Sequence, residues 1–120
     1  MAEPAPGRRP DADLLERATA LRQDAVHHLT LLAGDASMCA IGRSGRSFPA
    51  AKYHEGRQAA ASQVRRALRA DASAGPAVLG PLRDEWTRTL DSAATKGKDW
   101  VAYATGGLDA LAELADADEP

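Results

Sequence analysis

With 120 residues, the chain has room for one modest core and too little for two. Hydrophobic residues make up 44% of it, aromatics only 4%, and alanine alone about a fifth, a composition that favours helices meeting through small side chains over sheets. The formal charge of −2 and pI of about 5.9 argue against a surface that binds nucleic acid broadly. A single cysteine, Cys39, excludes an internal disulfide, and no apolar run approaches the roughly 18 residues of a membrane span.

Without an apolar leader behind a basic start, the expected setting is the reducing cytoplasm. Residues 1–10, MAEPAPGRRP, hold three prolines and no periodic apolar positions, so the sequence predicts a flexible tail there. Asp11 or Asp13 then reads as the acidic cap of a first helix. Leu14, Ala18, Leu21, Ala25, His28 and Leu32 recur at three- and four-residue steps, with Leu15, Val26 and Leu29 beside them, which is the pattern of an amphipathic helix. Gly34 ends it.

His27 and His28 are adjacent and so point about 100° apart on a helix. Neither has a His, Cys or Glu at the spacing that lets two side chains share an ion, so a metal site is not expected and His28 reads as a residue of the core edge.

Residues 35–48 form a long connection that contains two Gly-Arg-Ser repeats, GRSGRS. Connections of this length are disproportionately functional. Met38, Cys39, Ala40 and Ile41 can form a turn that plugs one end of the core. Pro49 reads as the first position of the second helix, whose apolar stripe, Tyr53, Ala60, Ala61, Val64 and Leu68, is thin. Gly56 inside it suggests either a close helix crossing or backbone exposed to a ligand.

From Pro76 to Ala115 the stripe runs Leu79, Leu82, Trp86, Leu90, Ala93, Trp100, Ala104, Leu108, Leu111 and Ala115. Two readings fit. Either Gly97 ends one helix and Asp99 opens the next, or one bent helix continues through TKGKD; helices average about a dozen residues, which favours the hairpin. Both tryptophans lie on the stripe and are expected in the core. Gly106-Gly107 marks a kink or a tight contact.

The stretch Gly42–Arg57 is formally +3, from Arg43, Arg46, Lys52 and Arg57 against Glu55. Flexible glycines, hydroxyls, arginine forks and a helix start together make an inventory for binding phosphate or carboxylate. The candidate ligand-binding residues are therefore Arg43, Ser44, Arg46, Ser47, Lys52, His54 and Arg57. GRSGRS lacks P-loop spacing and follows no strand, and Cys39 with His54 and Glu55 or Asp35 makes a weak catalytic set.

The fold expected is an all-α antiparallel bundle of about four helices, near 12–33, 49–72, 77–95 and 99–115, joined by the Gly/Arg/Ser loop. The bundle is expected over 11–116, with a frayed acidic end at 117–120. The function expected is that of a small non-enzymatic module acting through protein contact or self-association as a homo-oligomer, without cofactor, metal or membrane. An anion-binding domain for a phosphate-bearing small molecule or nucleic acid is the alternative, and a small enzyme using the same pocket comes third.

Overall fold

The computed structural model describes residues 10–33 and 48–116. They form α1 (Pro10–Ala33), α2 (Pro49–Ala70), a 3-10 segment (Ala72–Val78), α3 (Leu79–Ala93) and α4 (Lys98–Asp116). Among the described residues there is no strand, so the structure is all-helical, with helix packed on helix as the three- and four-residue spacing predicts. The tail ahead of Pro10, the GRSGRS connection with Cys39, and the residues past Asp116 lie outside the described residues.

Several helix boundaries differ from the sequence-based expectation. Pro10, rather than an aspartate, occupies the first helical position, so Asp11 and Asp13 fall inside the first turn; Asp13 Oδ2 there accepts from Arg17 Nε at 3.2 Å. Pro49 does open α2, behind Phe48. That helix ends at Ala70 rather than 72, because Asp71 turns extended (φ −149°, ψ 91°) and its Oδ1 accepts from both the Ser73 amide and hydroxyl, at 3.1 and 2.6 Å. The following 3-10 segment is kinked at Gly75 (φ 53°, ψ −139°), just ahead of Pro76, which delays α3 to Leu79.

From Leu79 to Asp116 the chain forms two helices, α3 and α4, rather than one bent helix. Gly97 adopts φ 117° and donates to the Ala93 carbonyl at 3.3 Å, the left-handed C-terminal stop that a residue without Cβ makes at least cost.

Sixteen apolar residues are buried among those described, and eight of them are alanine. Such a core gains little per residue from area and depends on how closely backbones approach. The closest approach joins α2 and α4. A Cβ on Gly56 would overlap the Tyr103 carbonyl and stand 3.0 Å from the Gly107 nitrogen, and one on Gly106 would overlap the Tyr53 carbonyl. The arrangement is reciprocal, because Tyr53-x-x-Gly56 and Tyr103-x-x-Gly106 each offer a carbonyl to the other's glycine. Ala60 and Ala110, one turn further on, are fully buried. Gly107 receives the Trp86 ring of α3, whose Nε1 donates to Gln63 Oε1 of α2 at 2.7 Å.

Two apolar expectations fail. Trp100 is 50% exposed where Trp86 is 4% exposed, because it sits in the first turn of α4, directly after the Gly97 turn. Leu32, Leu31 and Val26 are also exposed; Leu29 and Leu31 point about 200° apart on α1, so one helical contact cannot cover the whole apolar arc.

The seam yields a direct prediction. Gly56→Ala and Gly106→Ala each force two backbones apart and are expected to cost at least about 2 kcal/mol in urea denaturation. Gly80→Ala, where an added Cβ meets nothing within 4 Å, is expected to stay within about 0.5 kcal/mol of wild type. Equal effects at the three positions would refute the seam.

Candidate functional site

Of the candidate ligand-binding residues, Arg43, Ser44, Arg46 and Ser47 lie outside the described residues. Lys52, His54 and Arg57 are described, and the structure divides them between two environments rather than gathering them on one ligand.

Arg57 and His54 face α1. The Arg57 side chain is only 12% exposed, and its Nη2 donates to Asp24 Oδ2 at 2.9 Å, the charge-assisted geometry that a largely buried guanidinium needs. Its Nη1 lies 3.0 Å from His54 Nδ1. A guanidinium only donates, so Nδ1 is the acceptor and His54 is neutral with its proton on Nε2. The His54 ring stacks on His28 with centroids 4.6 Å apart and planes 9° from parallel. Nε2 of His28 stands 3.5 Å from the same Asp24 oxygen. Desolvation, then Arg57 and His28, push the His54 pKa below the ordinary value, while Asp24 pulls the other way. The Arg57 hydrogen bond holds the Asp24 carboxyl below the usual range.

Lys52 faces α4 instead. Its ammonium pairs with Glu55 at 3.1 Å and lies 6.0 Å from the Trp100 ring centroid, and Lys96 approaches the same ring at 5.8 Å. Beside it, Phe48 N donates to Asp99 Oδ1 at 3.1 Å, so the first turn of α4 holds the entry of α2. Tyr53 hydroxyl donates to Asp109 Oδ2 at 2.6 Å, and desolvation together with that carboxylate raises its pKa to about 12. Glu55 is thus engaged by Lys52, while Cys39 and Asp35, the other proposed catalytic partners, lie outside the described residues.

A groove of about 280 Å³ opens between α1, α2 and α4, with Arg17, Asp24, Arg57 and Glu113 on its rim and Leu21 and Leu114 at its base. Arg17 crosses it to donate to the Leu114 carbonyl at 2.9 Å. Both signs of charge line this groove, so an anion entering beside Arg57 must displace Asp24. Among the described residues, His, Asp and Glu side chains nowhere gather in a set of three able to hold a metal. No described helix is long and apolar enough to cross a membrane.

Sequence reasoning missed Asp24, the residue that ties this corner together. Its i, i+4 relation to His28 was readable, but a search for His, Cys and Glu alone passes over it; its bond to Arg57 depends on packing between helices. Comparison with family models, curated proteins and solved structures gives no match.

The neutral His54 makes stability depend on pH with a definite sign. Its folded pKa is below its unfolded value near 6.5, so the unfolded chain takes up the proton first. Its contribution is complete above about pH 6.5 and declines as pH falls below it. The melting temperature of the wild type is expected to drop more between about pH 7.5 and 5.5 than that of His54→Gln. Parallel curves for the two proteins would show that His54 is not the titrating group.

Proposed function

We propose that this chain is a non-enzymatic cytoplasmic helical module that acts through protein contact, its partner being a second copy of itself. The observation that carries this reading is the half-exposed indole of Trp100. Large aromatic rings with a polar rim are the residues on which interface energy concentrates, and here Lys52 and Lys96 supply the rim.

Val26, Leu31 and Leu32 add exposed apolar surface at the same end. The His28–His54 stack and the Phe48–Asp99 bond bring the end of α1 and the start of α4 to the first turns of α2. The pairs Asp24–Arg57 and Arg22–Ser62 support an antiparallel course for α1 and α2. A core half built of alanine gains from further burial, and a two-fold contact lets one patch complement itself. The single cysteine supports a reducing compartment.

Light scattering at micromolar concentrations tests this. The wild type is expected at twice the chain mass of 12.6 kDa, and Trp100→Glu at the monomer mass with unchanged far-ultraviolet circular dichroism. A wild type that stays monomeric across the range would overturn the proposal.

A further inference from the structure

Beyond the Asp24 corner, further along α2, lie arginines that make no ion pair among the described residues. Ser62, Arg65 and Arg69 follow at three- and four-residue steps, which places them on one stripe of that helix. Arg22 of α1 reaches the same stripe, its Nε donating to Ser62 Oγ at 3.2 Å. Three guanidinium groups from two helices therefore share one surface.

Arg17 and Arg57 each have an acid, but among the described residues none of Arg22, Arg65 and Arg69 makes an ion pair. The acids close to them in sequence are used elsewhere, since Asp24 serves Arg57 and Asp71 accepts from Ser73. Among the described residues, the Nε of Arg65 is buried and has no hydrogen-bond partner. Three guanidinium groups held close with no carboxylate between them repel one another, a repulsion that an anion from outside the chain relieves. Lost hydration, followed by Arg69 and Arg22, lowers the Arg65 pKa from the ordinary arginine value.

We propose that Arg22, Arg65 and Arg69 form a binding site for a phosphomonoester dianion, with Ser62 Oγ as a fourth contact. Charge and shape choose this chemistry over a carboxylate. A dianion answers two of the three positive charges, whereas a carboxylate answers one. The three terminal oxygens of a tetrahedral phosphate accept from forks arriving in different directions; a planar carboxylate has two oxygens and suits one fork. Ser62 accepts from Arg22 and keeps its hydroxyl proton to donate. The site is separate from the Trp100 surface and does not rest on self-association.

Thermal denaturation of the full chain, with inorganic phosphate compared against chloride at equal ionic strength, tests the assignment. Phosphate well above its dissociation constant is expected to raise the melting temperature by roughly 5 °C. Arg65→Gln is expected to abolish the rise. Arg88→Gln, an equal loss of charge on the exposed face of α3, is expected to keep it. Arg69→Gln, at an exposed position, serves as a second variant should Arg65→Gln fail to fold, and is expected to weaken the response several-fold. Glycerol phosphate stabilising as inorganic phosphate does extends the site to organic monoesters. Equal shifts with chloride or acetate would overturn the proposal, as would a wild-type response in both arginine variants. A single-stranded oligonucleotide acting at lower phosphate concentration than the monoesters would overturn it in favour of a nucleic-acid strand.

Discussion

The contact between the backbones of α2 and α4 is the constraint on which the remaining packing depends. Two helices lined by alanine gain little from area, and dispersion falls steeply with distance, so they hold together only if their axes come close. Glycines at 56 and 106 permit this approach, each receiving the other helix's tyrosine carbonyl. Gly107 then leaves a bay for Trp86, the largest buried ring, and Gln63 meets the indole nitrogen so that this burial leaves no donor unsatisfied. With α3 seated in this way, α1 packs on α2, and Leu14, Ala18 and Leu21 join Ala61, Val64 and Leu68 in one buried cluster.

The charges of α2 separate into answered and unanswered sets along its length. Near its start, Asp24 and Glu55 meet Arg57 and Lys52, and Asp99 accepts from the Phe48 amide, so both described cations of the basic stretch have a carboxylate partner in the fold. Such partly exposed pairs add little stability, but they fix geometry: Asp24 sets the orientation of Arg57, and Arg57 sets the tautomer of His54. Toward its other end the same helix carries arginines that make no ion pair among the described residues. Local composition and local potential therefore differ, and only the fold tells the two ends apart.

Much of the architecture was readable from spacing. The apolar stripes marked α1 through Leu14, Ala18 and Leu21, and Pro49 and Gly97 marked a start and a stop that local backbone chemistry dictates. Gly56 and Gly106-Gly107 raised the possibility of a close crossing, yet only the matched Tyr-x-x-Gly pairs pointed to each other, a relation no single-helix pattern weighs. Trp100 was misread because helical periodicity reports which face a residue shares, not whether another element covers that turn. The site was less legible. Lys52 and Arg57 were identified as cations, but their partners belong to other turns and other helices, and the Arg22–Ser62 contact joins positions forty residues apart.

The bond from Phe48 to Asp99 spans 51 positions, and the α2–α4 contact, the most extensive in the fold, is equally long in sequence separation. This has a consequence for vectorial synthesis. A nascent chain that has emerged only as far as α3 presents α2 with its glycine and alanine face bare and its entry unanchored. Closing so long a loop costs entropy before any packing is gained, and α2 lacks its main neighbour until the 19-residue α4 arrives. The contact that completes the glycine and alanine face of α2 therefore forms only once α4 is present.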